Sequence, residues 1–165
     1  RAHQGVQENQ KYIDLLASTG IRKRKLLQAL DEFNARLAEL CMAAAYKPVT
    51  VDEEMTIRYA NRNYYLLSGS EQYRVRAIMQ LAAAFSDGSK TVVMDGADIL
   101  DDQGRNGLFK VLAQLDIKAL VGMTIPKASR APDLSKFGIG ATYWVAGGTI
   151  RPVVDAVDEE TAKAA

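Results

Sequence analysis

The sequence predicts an α/β fold with parallel strands, on three observations. The first is a strand–helix–strand run. "TVVM" (91–94) is a β-branched run bounded by polar residues and reads as a buried strand. Leu108, Val111, Leu112 and Leu115 then recur at i, i+3, i+4 and i+7, which predicts a helix over about 103–115. "KALVGMTI" (118–125) supplies another buried strand. Strand, helix and strand at this length form a βαβ unit, hence a parallel pair with a right-handed crossover. The second observation is a set of amphipathic helical patterns before that unit. The third is Gly147-Gly148 between two β-rich runs of "ATYWVAGGTIRPVV", a hairpin signal near the end of the chain.

Taken in order, residues 6–17 are weakly helical, and "STG" (18–20) interrupts them with turn residues. From Ile21 to about Ala45 the pattern strengthens. Leu26, Leu30, Phe33, Leu37 and Leu40 have the a/d spacing of a coiled-coil seam, sustained for about two heptads. Residues 1–46 are therefore expected to be a helical hairpin or a coiled-coil stub. The basic run "RKRK" (22–25) reads either as a solvated face or as a contact for nucleic-acid backbone. After "AAAYKP" the period changes. Residues 49–68 hold β-branched and aromatic residues with polar turns at 52–54 and 60–63, and so predict two short strands. A helix follows over about 68–85, with Val75, Ile78, Met79, Ala82 and Phe85 on one face, and "SDGSK" ends it. "GRNG" (104–107) opens the next helix and is explained by packing. A Pro-, Ser- and Lys-containing loop covers 126–138; its Lys127 and Arg130 read as solvated or as phosphate or DNA contacts. Met55, Met79, Met94 and Met123 read as core filler. The body thus spans 47–154, and the acidic, alanine-rich tail 155–165 is frayed helix or disordered.

The bulk numbers set limits. A composition 48% hydrophobic and 25% charged is that of an ordinary globular protein. A net charge of +1 excludes a strongly basic surface over the whole chain, though not a local patch. No apolar run approaches the roughly 18 residues of a membrane span. The single cysteine, Cys41, cannot form an internal disulfide and reads as a buried structural thiol, which points to a reducing, cytoplasmic setting. The chain begins with Arg rather than Met and its first residues read as mid-helix, so a missing upstream part is expected.

Two stretches carry chemistry. In "LLSGSEQYRV" (66–75), Ser68 followed by Glu71 matches a capping box. Gly69 and Ser70 put almost no bulk over the first helical turn, which leaves its amides and the positive dipole end open to an anion. The strand "TVVMD" ends in Asp95, where parallel sheets gather ligands and where a carboxylate can hold Mg²⁺.

In this order the two stretches, "LSGSEQ…TVVMDGADILD", resemble the C-terminal lobe of ATP-binding-cassette ATPases of the SMC and repair-exonuclease type. There the signature "LSGGE/Q" precedes a helix, and a hydrophobic strand ending in "DE" follows. The resemblance covers roughly residues 21–154, with Ser70 where the second glycine stands. It implies that Ser68, Gly69 and Ser70, with Glu71 and Gln72 completing the nucleotide-binding stretch, contact the γ-phosphate of ATP bound to the opposite subunit. It implies Mg²⁺ on Asp95, a second aspartate in Asp98, and a dimer-contacting "LD" in Leu100 and Asp101, one residue early. The implied partners are an N-terminal lobe beyond a coiled coil, a second head in an ATP-sandwiched homodimer, DNA, and in some members a nuclease subunit.

The departures bear on hydrolysis. Gly96 stands where the family has its water-activating glutamate, and glycine has no base to offer. "GMTIPK" follows the next strand where a histidine is usual, and the only histidine is His3. Asp98 is the candidate replacement base. No G-x-x-x-x-G-K-[ST] occurs, so a nucleotide-cradling loop would have to come from the N-terminal lobe. The sequence therefore supports a composite ATPase acting on DNA, a hydrolysis-deficient ATP-gated scaffold, or a helical-hairpin interaction module on an unrelated α/β body.

Overall fold

The computed structural model describes residues 2–17 and 19–164. In chain order the elements are α1 (Ala2–Leu16), α2 (Ile21–Ala43), β1 (Val49–Val51), β2 (Ile57–Tyr59), β3 (Arg62–Asn63), α3 (Gly69–Ser86), β4 (Thr91–Met94), α4 (Asp102–Gln114), β5 (Lys118–Val121), β6 (Tyr143–Ala146), β7 (Thr149–Pro152) and α5 (Val153–Ala164). Short 3-10 turns lie between several of them. The fold is mixed α/β, with a short parallel pair β4–β5, an antiparallel ladder β1–β2–β3 and an antiparallel hairpin β6–β7. No helix among the described residues is long and apolar enough to cross a membrane.

The chain divides into two compact units, Arg1–Val92 with Ile99–Ala119, and Val93–Asp98 with Leu120–Ala165. In the first, α2 is the central element and packs against α3, α4 and β1. Its Leu30, Leu37, Leu40 and Cys41 are buried, while Leu26, at the start of the heptad-like series, stays exposed. Burial pushes the Cys41 thiol above its ordinary range. From α3 come Tyr73, Val75, Ile78 and Leu81, and from α4 Leu108 and Val111, which close this core. Each fully buried leucine, isoleucine or valine among them contributes about 1.5–3 kcal/mol.

One polar side chain ties β1 to α2. Asn34 donates Nδ2 to the Val51 carbonyl (2.9 Å) and accepts the Val51 amide on Oδ1 (2.8 Å), the pair of bonds a neighbouring strand would make. On the other side of β1 the ladder has three strands, where the sequence pattern predicts two. Ala60 and Asn61 both take positive φ (49° and 66°) and form a two-residue turn. Arg62 and Asn63 thereby fold back to pair with Tyr59 and Arg58 instead of remaining in a turn. Met55, read as core filler, sits exposed at positive φ in the preceding turn, where no core reaches it.

The second unit has a smaller core. Ala128, Val153 and Ala156 are buried together, with Ala131, Trp144 and Val157 packed against them. Residues 155–164, read as frayed helix or disordered, belong to α5, which docks through Val153 and Ala156. On the hairpin, Tyr143 faces Pro152 and Val145 faces Ile150 across the strands. That face is exposed, whereas Trp144 on the other face meets the small core. The parallel pair is likewise less covered than its apolar sequence predicts. Val92 and Met94 are buried, but Val93 is exposed and Leu120 of β5 is 68% exposed. A continuous apolar run reads as doubly buried only when elements cover both faces, and β5 has β4 as its only strand neighbour among the described residues.

Candidate functional site

The site residues read from the sequence fall into two groups, one in each unit. The first surrounds the start of α3. Ser68 is the N-cap (φ −65°, ψ 160°), and the capping box is complete: Ser68 Oγ accepts the Glu71 amide (3.4 Å) and Glu71 Oε2 accepts the Ser68 amide (3.1 Å). The Gln72 amide goes to the Ser68 carbonyl (2.9 Å). The amides of Gly69 and Ser70 precede the helix's own ladder and point out of its end. Gln72 turns its side chain away, donating Nε2 to the Tyr64 carbonyl (3.3 Å).

Glu71 also pairs with Arg62, which sequence reading did not single out. The Ser68 amide, with Arg62 adding to it, holds the Glu71 carboxyl below its usual range. Glu71 thus stays ionised, and Arg62 offsets its charge beside the helix end. Gly69 has a packing reason as well. A Cβ there would lie 3.0 Å from Ile99 Cδ1, so the bare first turn accommodates Ile99 whether or not an anion approaches.

Leu100 and Asp101 belong to the same unit. Leu100 is buried. Asp101 is the N-cap of α4, accepting the Gly104 amide on Oδ1 (2.7 Å), and the same oxygen accepts from Arg74 Nη2 (2.8 Å). The Gly104 amide first, and Arg74 second, hold its carboxyl below the ordinary carboxylate range. Gly104 and Gly107 serve packing, as the sequence predicts. A Cβ on Gly107 would run into the Ala44 carbonyl oxygen and lie 2.9 Å from Tyr46 Cε1. In the basic run, Arg22–Lys25 are exposed, and Lys23 pairs with Glu53 at 2.8 Å.

The second group lies at the C-terminal ends of β4 and β5. The exposed Asp95 accepts the Gly96 amide on Oδ1 (2.8 Å). A Cβ on Gly122 would sit 2.6 Å from that oxygen, so glycine at 122 is what lets the carboxylate lie across the end of β5. Asp98 Oδ1 accepts the Thr124 amide (3.1 Å), tying the 3-10 turn after β4 to the segment after β5. Gly96 has φ +74°, with nothing within 4 Å of a Cβ placed there. Lys127 precedes a 3-10 turn that Arg130 ends, and both are exposed. No group of three His, Cys, Asp or Glu among the described residues could hold a metal ion. Asp95 offers a single carboxylate, which suits Mg²⁺ when waters and phosphate oxygens fill its other positions.

No family model matches this chain, and no curated protein matches it. Sequence reasoning did not find Arg62, Arg74, Ile99 or Gly122. Each acts through a contact with a residue distant in sequence, and no local pattern encodes such contacts.

Proposed function

We propose that this chain is the C-terminal lobe of a composite, SMC-like ATP-binding-cassette ATPase, in which the first turn of α3 meets the γ-phosphate of an ATP held by another head. The observation that carries this reading is that open turn. Ser68 and Glu71 cap each other, so the amides of Gly69 and Ser70 are left for an outside acceptor at the positive end of an 18-residue helix. The parallel β4–α4–β5 unit with Asp95 at its carboxyl edge supports it. In this reading Asp95 carries Mg²⁺ among phosphate oxygens, and an N-terminal lobe supplies the Walker A loop. Two heads close around ATP, and the substrate of the motion is DNA, alone or with a nuclease subunit, in the cytoplasm.

The test uses the polypeptide that joins this chain to a Walker A lobe. Light scattering should show a dimer that forms only with ATP and Mg²⁺, and Ser70→Arg should abolish it while circular dichroism stays unchanged. A dimer indifferent to Ser70→Arg would sink the reading.

One observation favours a second form of it, a nucleotide-gated scaffold that does not turn over. Gly96 occupies the place of the water-activating glutamate in a left-handed conformation, which disfavours any other L-residue by about 1–2 kcal/mol. Asp98, the replacement base, already accepts the Thr124 amide. The scaffold form expects ATP-dependent dimers of the wild type with no Mg²⁺-dependent phosphate release, and turnover restored by Gly96→Glu. Phosphate release that Asp98→Asn abolishes would establish the enzyme instead.

A further inference from the structure

Residues 99–101 are pinned to α3 at two points. At one end, the half-exposed Ile99 brings its terminal methyl to 3.0 Å from where a Cβ on Gly69 would stand. At the other, Arg74 on the second turn of α3 donates Nη2 to Asp101 Oδ1 at 2.8 Å. The Arg74 side chain is only 19% exposed, and its guanidinium lies 5.6 Å from the centre of the Tyr46 ring. The Tyr46 hydroxyl donates to the Gly104 carbonyl (2.5 Å), whose own amide goes to the oxygen that Arg74 holds. A Cβ on Gly104 would come within 2.8 Å of Asp101 Oδ1 and 3.0 Å of Arg74 Nη2, so glycine leaves the room in which the two meet.

This is more than α4 needs for its cap. An N-cap aspartate works without a cation, and asparagine caps a helix about as well. A surface ion pair adds little stability in itself. What the arginine adds is direction: it draws the residue before α4 toward α3, at a fixed distance from the turn that carries Gly69 and Ser70. We propose that Arg74, acting through Asp101, is a positioning residue that holds segment 99–101 against the first two turns of α3. The segment and the anion-facing turn are thereby set as one surface. The functional half of this inference rests on the reading of that turn as a phosphate contact; the positional half does not.

The test compares Arg74→Gln, Arg74→Lys and Asp101→Ser in the intact chain, with the Ile99 methyl isotopically labelled. In the wild type a nuclear Overhauser cross-peak should connect the Ile99 Cδ1 methyl to the Gly69 α-protons. Asp101→Ser keeps the cap, and hence slow exchange of the Gly104 amide, but its hydroxyl is one bond shorter than the carboxylate that Arg74 holds, so the cross-peak should be lost. Arg74→Gln should lose it too, and Arg74→Lys should restore part of it. An undiminished cross-peak in Asp101→Ser overturns the proposal, including in the case where Arg74→Gln fails to fold. A second arm measures ATP-dependent dimerisation of the polypeptide joined to its Walker A lobe, with Arg74→Gln raising the half-maximal ATP concentration about tenfold. If the wild type fails to dimerise with ATP yet the cross-peak behaves as expected, the phosphate reading fails and the positional role stands. If the wild type dimerises and Arg74→Gln leaves the ATP dependence unchanged, the functional half is overturned.

Discussion

At the scale of single residues, Ser68, Glu71 and Asp101 show how much local charge chemistry the chain concentrates at helix starts. Ser68→Ala should lower stability by about 1 kcal/mol in urea unfolding, because the Glu71 amide loses its acceptor. Glu71 and Asp101 both have carboxyls held below their ordinary values of 4.5 and 3.8. A group depressed in the folded state stabilises it above the unfolded value and ceases to do so as pH falls through the folded value. Stability should therefore be flat near neutrality and decline as pH drops below 4.5, and Glu71→Gln should shrink that decline. Urea midpoints taken from pH 7 downward measure it. The capping box is legible in the sequence because all its atoms come from four consecutive residues. The contact of Ile99 with Gly69 is not, since nothing in "LSGSEQ" says which distant side chain fills the space a glycine leaves.

At the scale of elements, α2 organises the first unit, and its interior positions are where substitutions should matter most. Leu37→Ala should destabilise by about 2–5 kcal/mol, the range for deleting a fully buried leucine. Asn34→Ala should destabilise by about 1–3 kcal/mol, because it strands the amide and carbonyl of Val51 together. Gly107→Ala, driving a methyl group into the Ala44 carbonyl, should destabilise by about 1–3 kcal/mol despite a better helix propensity. Calorimetry or denaturant titration of the three variants checks each value. α2, α3 and α4 are readable from periodicity, because burial of one face imposes the 3.6-residue repeat on them, and β4 is readable as a β-branched run bounded by polar residues. β3 escaped that reading, since two residues carry no periodicity and the turn before it uses an alanine at positive φ. The exposure of β5 escaped it too, because an apolar run records a preference for cover and not whether cover is present.

At the scale of the whole molecule, the composition shifts near 46 and 154 are visible in the sequence. The division after Val92 and Ala119 is not, because it runs through two apolar strands without a change of residue type. The two units differ in what holds them. The first has long side chains from α2, α3 and α4 in its core; the second relies on Ala128, Val153 and Ala156 with Trp144 beside them. The only tryptophan and the only cysteine fall on opposite sides of that division. Each is therefore an intrinsic reporter with a single address. Indole fluorescence reads the second unit, and the rate at which a thiol reagent reaches Cys41 reads the first. With so little apolar area behind it, the second unit should open first, so the fluorescence transition in urea should precede thiol exposure. Coincident transitions would mean that the chain melts as one cooperative body. The wild-type protein, with no residue replaced, is enough to decide between the two.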